Sequence, residues 1–152
     1  MNPQLTEMFG IGSSTANKLA EKNITTFEQL MKAIDSGEFK PSKTQQIGIN
    51  FHQNENTPVL ETEIEIFSDY LESTLLELKQ SGLTVTVRST NNKMFVHIRF
   101  NKDGVLHLLH NKMVRDGTIG IVFQKNQYKL DVVVKTHEIY RRVLFTQEKV
   151  PN

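Results

Sequence analysis

Residues 81–100 read SGLTVTVRSTNNKMFVHIRF, and they contain the change of pattern that decides the fold. Leu83, Val85 and Val87 alternate with polar residues, and a second alternation runs over residues 94–100. Apolar residues at every second position indicate β-strands, whereas the chain before residue 81 has helical spacing. We therefore predict two adjacent strands that are joined by a loop at residues 91–92.

Helical and strand patterns both occur beyond residue 100. Residues 104–114 (GVLHLLHNKMV) have the apolar spacing of a helix, and strands are predicted near 118–123 and 127–135. The last patterned stretch, THEIYRRVLFTQ at 136–147, is predicted to be a further helix. The second half of the chain is therefore expected to form a small sheet with flanking helices.

The first half of the chain has only helical patterns. Helices are predicted over residues 14–22, 26–34, 42–51 and 60–79. The buried face of the longest helix is predicted to consist of Leu60, Ile64, Phe67, Leu71, Leu75 and Leu78. The predicted fold class is therefore α+β, with a helical module at 1–58, a connecting helix at 59–80 and an α+β domain at 81–152.

Composition excludes several classes of protein. The chain of 152 residues has no cysteine, which excludes disulfides, thiol catalysis and cysteine metal sites. The first residues contain neither a basic nor an apolar leader region, and no stretch is long and apolar enough to span a membrane. We expect an intracellular protein, cytoplasmic or nuclear, without a membrane partner.

Charge is distributed unevenly between the two halves. Residues 1–80 carry 6 Lys or Arg and 12 Asp or Glu, whereas residues 81–152 carry 12 and 5. The second half is therefore expected to attract polyanions over long range. The acidic first half can bind a polyanion only through local backbone geometry.

The segment LTEMFGIGSSTANKL at residues 5–19 contains two glycines just before a predicted helix, a feature that we call the glycine turn (Gly10-Ile11-Gly12). The glycines are expected to let the backbone follow a tight, partly left-handed path, with Ser13 or Ser14 capping the helix and Ile11 pointing inward. Amides at a helix start bind phosphate oxygens well, although a glycine pair can also be a plain connection. The predicted DNA-binding residues here are Gly10, Ile11, Gly12, Ser14, Thr15 and Lys18.

The whole pattern resembles the helix-hairpin-helix motif of DNA repair proteins. It has Leu5 before the glycines, Ala16 and Leu19 after them, and a second amphipathic helix beyond Asn23. The order of FGIGSSTANKLAEKNITTFEQLMKAI (9–34), KTQQIGINFHQ and TPVLETEIEIF is similar to family X (DNA polymerase beta-like) DNA polymerases, between their lyase domain and palm. The motif binds phosphate and sugar without reading bases.

This resemblance also implies a bound monovalent cation. In the family, backbone carbonyls before and within the glycine turn coordinate the ion, which bridges to a phosphate. Carried over by position, the ligands are the backbone oxygens of Thr6, Met8 and Ile11, and the ion is K⁺ or Na⁺. Thr44 departs from the family pattern, because a histidine is common at this position in the third helix.

The second half resembles a reduced family X palm, a nucleotidyltransferase-like remnant. The family uses a Gly-Ser strand end, an Asp-x-Asp pair and a third Asp to hold two divalent metals. Here Arg88 replaces the glycine before Ser89, and His97 and Arg99 stand where Asp-x-Asp is expected. Asp131 is the single matching carboxylate. The resemblance therefore implies a pseudoenzyme that holds no divalent metal and does not polymerise nucleotides.

Two interpretations of the histidines remain open. His97 and Asp131, with His107 or His110, could form a rebuilt site for one metal ion, because histidines three apart on a helix share a face. The simpler interpretation is an ion pair between His97 and Asp131 across the sheet.

The basic residues of the second half suggest a second nucleic-acid surface, although many proteins have an ordinary cationic surface. These residues are Arg88, Lys93, Arg99, Lys102, Lys112, Arg115, Lys125, Lys129, Lys135, Arg141 and Arg142. Arg88, Arg99 and Lys129 are expected on the sheet face that holds the metals in the family. Their charge would there replace that of the metal ions.

Together these features predict a non-catalytic, sequence-nonspecific DNA-binding protein, acting as an accessory or architectural factor in replication, repair or transcription. One alternative is a protein-interaction subunit of a larger polymerase or transcription complex, in which the hairpin is vestigial. Another is a minimal metal-dependent nucleotidyltransferase. The reduced size suggests a viral or mobile-element origin.

Overall fold

The computed structural model describes residue 5 and residues 11–77, 84–100, 104–136 and 139–149. Within it the chain divides into two compact units, Met1–Gln53 and Asn54–Asn152. Each unit has its own cluster of buried apolar side chains.

The first unit is helical. Its described helices are α1 (Ser13–Glu21), α2 (Phe27–Ser36) and α3 (Lys43–Asn54), which confirms the three helices predicted here to within a few residues. Between α1 and α2 the chain turns at Asn23, whose φ is 63°, and the amide of Ile24 donates to the carbonyl of Leu19. The core of this unit contains Leu5, Ile11, Ala16, Leu19, Ile24, Leu30, Ala33 and Ile49.

The second unit combines helices with a sheet. Its elements are α4 (Glu61–Glu77), β1 (Thr84–Thr90), β2 (Lys93–Phe100), α5 (Val105–Asp116), β3 (Ile119–Lys125), β4 (Lys129–Lys135) and β5 (Tyr140–Lys149). The described strands form one sheet in the order β1-β2-β5-β4-β3. The β2–β5 pair is parallel and the other pairs are antiparallel. The predicted α+β fold class is therefore confirmed.

One face of the sheet carries the core of the second unit. Met94, Val96 and Ile98 of β2 are buried on this face together with alternate residues of β4 and β5, against apolar side chains of α4 and α5. The opposite side, which we call the uncovered face, consists of the even-numbered residues of β1 and β5 and the odd-numbered residues of β2 and β4. Most of these residues are half-buried or exposed.

The helix predicted over 136–147 is wrong. The chain from Tyr140 to Lys149 is a strand, β5, which lies between β2 and β4 in the middle of the sheet. Burial alternates along it, since Arg141, Val143 and Phe145 are buried and the residues between them are only half-buried. A buried arginine at 141 and an apolar Leu144 on the other face hide this alternation in the sequence.

The long helix also differs from its prediction. Residues 59–80 were expected to connect the two modules, whereas α4 spans Glu61–Glu77 and packs on the sheet within the second unit. Phe67, Leu71 and Leu75 are buried as predicted, but Leu60 precedes the helix and is 65% exposed. Residue 78 lies outside the described residues. Among the described helices, none has both the length and the apolar character that a membrane crossing requires.

Candidate functional site

The N-terminus of α1 presents backbone amides that have no hydrogen-bond acceptor among the described residues. Gly12 caps this helix, so the prediction that Ser13 or Ser14 is the cap is wrong, since both residues lie inside the helix. The first helical hydrogen bond runs from the amide of Ala16 to the carbonyl of Gly12, at 2.9 Å. The amides of Ser13, Ser14 and Thr15 therefore precede that bond and have no helical acceptor.

Gly12 leaves open space beside these amides. It is exposed, and a Cβ placed on it would meet no atom within 4 Å. Its φ of −83° and ψ of 176° suit any L-residue, so the predicted left-handed path is wrong at this position. The local backbone conformation therefore does not require a glycine at position 12. What the missing side chain does provide is open space through which a ligand can reach the start of the helix.

The other two helices of the first unit begin differently. The Thr26 hydroxyl accepts a hydrogen bond from the amide of Gln29 at 3.1 Å and completes a capping box on α2. Ser42 and Gln45 form the same reciprocal pair before α3. In contrast, no side chain among the described residues caps α1, and its first turn contains no acidic residue. Within the described part of the chain, the positive end of the α1 dipole therefore has no side-chain acceptor.

The other residues near the glycine turn that were predicted to bind DNA or the cation fall into two groups. Ile11 is buried in the helical core, as expected, and Lys18 is exposed in the last turn of α1. Thr6, Met8 and Gly10 lie outside the described residues. The predicted cation site is thus described only at Ile11.

The strand register brings Arg88, Arg99 and Lys129 to one side of the sheet. All three lie on the uncovered face, but in different rows across the strands. Arg88 is paired with Phe95, whereas Arg99 is paired with Glu148 and its Nε lies 3.5 Å from that carboxylate. The charges are therefore spread along the face.

The partner predicted for Asp131 is wrong. Arg142 holds its carboxylate through two hydrogen bonds, from Nε to Oδ1 at 3.1 Å and from Nη2 to Oδ2 at 2.8 Å. The Asp131 carboxylate in turn raises the pKa of Arg142. His97 contacts Thr146 at 2.9 Å and Glu148 at 3.0 Å. Because β5 lies between β2 and β4, two strand spacings of about 4.8 Å separate His97 from the strand of Asp131.

The rebuilt metal site is not assembled among the described residues. No group of three or more His, Asp or Glu side chains there could hold a metal ion. His107 and His110 lie on α5, which packs on the core face of the sheet, whereas His97 and Asp131 lie on the uncovered face. Burial, and then the charge of Lys125, lower the pKa of His110.

The prediction that Arg141 belongs to a basic, nucleic-acid-binding surface is wrong. Its side chain is 2% exposed and pairs with Glu63, whose Oε2 lies 2.7 Å from the Arg141 Nε. The guanidinium also donates to the backbone carbonyls of Thr57 and Pro58. Arg141 therefore stabilises the second unit and is not available to a ligand.

Sequence reasoning missed the aromatic residues of the uncovered face. The Lys93 ammonium lies 5.1 Å from the ring centroid of Phe95, and the Arg142 guanidinium lies 4.2 Å from that of Phe123. The alternation of β2 contains a signal for Phe95, because this residue takes a position on the polar side of the strand. Phe123 lies at a register shift of β3, between Val122 and Gln124, and no sequence pattern indicates that shift.

Comparisons with known proteins assign no family to this chain. No protein-family model matches it, and no curated protein matches it significantly. Its function is therefore inferred from its residues and their geometry, together with the resemblance described above.

Proposed function

We propose that this protein is a non-catalytic DNA-binding protein whose first unit grips the sugar-phosphate backbone at the start of α1. The observation that carries the proposal is the set of uncapped amides of Ser13, Ser14 and Thr15 beside the open space at Gly12. We further propose a helix-hairpin-helix here and a nucleotidyltransferase-like remnant in the second unit, as in a degenerate family X polymerase.

The chemistry of this helix start suits a phosphate oxygen. Three consecutive amides can donate to one anion, and the helix dipole favours the negative charge. Lys18 adds a cation on the same helix. All these contacts reach phosphate or sugar, so binding is independent of base sequence. A K⁺ or Na⁺ ion on the backbone oxygens of Thr6, Met8 and Ile11 would add a bridge to the same phosphate.

The second unit contributes electrostatic attraction in this proposal. Arg88, Arg99 and Lys129 place positive charge on the uncovered face, which raises the local concentration of DNA. The role is that of an accessory or architectural factor in replication, repair or transcription. The proposed compartment is intracellular.

We propose a non-catalytic protein because the Asp131 carboxylate is already bound by an arginine. Both of its carboxylate oxygens accept hydrogen bonds from Arg142, and a guanidinium repels a cation that approaches the same oxygens. A two-metal centre needs carboxylates that can bridge or flank the ions. In this chain His97 and Arg99 stand at the Asp-x-Asp positions of β2, and β5 separates that strand from the strand of Asp131.

Titration of a short labelled DNA duplex tests the proposal at Gly12. We expect Gly12→Val to weaken binding about tenfold and Gly12→Glu to weaken it more, because loss of charge-assisted hydrogen bonds costs about 1.5–3 kcal/mol. The same weakening is expected for unrelated duplex sequences.

The matched control is Gln53→Glu, which adds one negative charge at an exposed position of the same unit. It should leave duplex affinity within about twofold of the unmodified protein, since a single solvent-exposed charge is largely screened by salt. If the Gly12 variants bind duplex as well as the control does, the proposal is wrong. The glycine turn would then be a plain connection, as in the protein-interaction alternative.

A further inference from the structure

Phe95 occupies an unusual position for a large apolar side chain. Its neighbours Met94 and Val96 are buried in the core, so the pleat of β2 directs Phe95 to the uncovered face, where it is half-buried. Arg88 of β1 and Leu144 of β5 flank it in register. An aromatic ring therefore lies in the open part of the sheet with a cation beside it.

The charges around Phe95 favour a polyanion. Glu148 contacts His97 and Arg99, and Arg142 holds Asp131. Within the described ranges, no carboxylate forms an ion pair with the cations that surround these pairs on the same face. Those cations are Arg88, Lys93, Lys129 and Lys135. The excess positive charge is complementary to a phosphate backbone.

The ring and the cations together distinguish between forms of nucleic acid. A duplex presents phosphates but keeps the faces of its bases stacked inside, so it can use only the charges. A single strand offers both phosphates and exposed base faces, and bases stack on aromatic side chains within a basic groove. Lys93 already lies over the Phe95 ring, and a base that takes its place leaves the ammonium free to contact a phosphate.

We infer that the uncovered face is a separate binding site for single-stranded nucleic acid, with a base stacked on Phe95 and phosphates held by Arg88 and Lys93. The site goes beyond the duplex grip proposed for the first unit, since neither Gly12 nor α1 takes part in it. Its selectivity is for strandedness rather than for base identity, because every base has a face that can stack.

Fluorescence titration of a short labelled oligothymidylate tests the site. Phe95→Ala should weaken binding about tenfold, whereas Phe95→Tyr, which keeps the ring, should bind within about threefold of the unmodified chain. Arg88→Gln should reduce the slope of log affinity against log salt by about 0.7, the value for one phosphate of a single strand.

Two controls remove equivalent groups from elsewhere in the second unit. Leu76→Ala truncates an exposed apolar residue of α4, and Arg115→Gln removes an exposed cation of α5. Both helices pack on the core face, so oligothymidylate binding should be unchanged in either variant. Circular dichroism melting of each variant verifies that it is folded.

The outcomes separate this inference from the proposed function. Loss of oligothymidylate binding in Phe95→Ala with unchanged duplex binding supports the inference, whatever the Gly12 variants show. Equal oligothymidylate binding by Phe95→Ala and Leu76→Ala overturns it. A Phe95→Ala chain that binds heparin and oligothymidylate as well as the unmodified chain does shows a general polyanion surface, which also overturns it.

Discussion

Arg141 is a charged residue that lies buried in the second unit. It is the largest fully buried side chain in the described chain, and its guanidinium is saturated by Glu63 and by two backbone carbonyls. These bonds join β5 to α4 and to the segment that precedes α4. Removal of either ionic partner leaves the other charge buried without compensation.

Replacement of the buried arginine tests this dependence. We expect Arg141→Met to lower the free energy of unfolding by about 3–5 kcal/mol, because the Glu63 carboxylate loses its partner. Urea denaturation followed by circular dichroism measures the change. The matched control is Arg99→Met, which removes an exposed pair with Glu148 and should cost at most about 1 kcal/mol. Equal losses in the two variants would contradict a structural role for Arg141.

At the scale of elements, one polar cluster joins α4 to α5. The Asp116 carboxylate accepts hydrogen bonds from Lys112 at 2.9 Å and from Tyr70 at 2.8 Å. The bond from Lys112, followed by that from Tyr70, holds the pKa of Asp116 below its usual value. Burial is the main cause that raises the pKa of the Tyr70 hydroxyl. The cluster therefore favours an ionised Asp116 beside a neutral Tyr70.

The lowered pKa of Asp116 predicts how this link responds to acid. A carboxylate whose pKa is lower in the folded state than in the unfolded state stabilises the fold above its ordinary pKa, near 3.9. That contribution disappears as the pH falls through the lowered value. Asp116→Asn should therefore destabilise the protein at neutral pH, and the difference between variant and unmodified protein should shrink as the pH falls below the ordinary pKa of an aspartate.

Urea denaturation at neutral pH and at an acidic pH below the ordinary aspartate pKa measures this difference in the free energy of unfolding. Asp35→Asn, at an exposed position of α2, is the control. No hydrogen bond or ion pair of Asp35 is described, so we expect this change to have little effect at either pH. A destabilisation by Asp116→Asn that is independent of pH would show that the carboxylate acts through its shape rather than its charge.

The elements also show how much of the fold the sequence predicts. Every described helix was predicted, and so were the first four strands, because their apolar residues recur with a period of 3.6 or 2. The exception is β5, the central strand, whose period is masked by Arg141 and Leu144. Contacts with other elements accommodate both residues. Glu63 neutralises the buried arginine, and Phe95 lies next to Leu144 on the uncovered face.

At the scale of the whole molecule, the two units have separate cores. All the buried residues of the sheet core lie between Phe67 and Phe145, and the Arg141–Glu63 pair lies within the second unit as well. Because the core residues of the sheet that the structure describes all belong to the second unit, we expect residues 54–152 to fold when produced alone. The first unit is small enough for its isolated core to be marginal.

Truncation tests this separation of the cores. Residues 54–152 should unfold cooperatively in urea and should keep the far-ultraviolet circular dichroism of strands. They should bind oligothymidylate as the full chain does but lose the Gly12-dependent binding of duplex. A gradual, non-cooperative unfolding curve would show that the sheet core needs the first unit.

The candidate sites were predictable to different degrees. The glycine turn is local, so its place before a helix follows from consecutive residues, although the cap is Gly12 rather than a serine and the backbone at Gly12 is not left-handed. The uncovered face is not local. Arg88, Phe95 and Lys129 belong to three strands, and their shared side depends on a pairing register that spans much of the chain.

The sequence by itself determined the α+β class, most of the helices and strands, and a glycine turn at the start of a helix. Tertiary structure alone decided that residues 140–149 form the central strand, that Arg142 rather than His97 holds Asp131, and that Arg141 is buried. The physical reason is the range of the interactions. Periodicity encodes which side of an element meets a core, whereas the partner of a charge depends on which strands become neighbours.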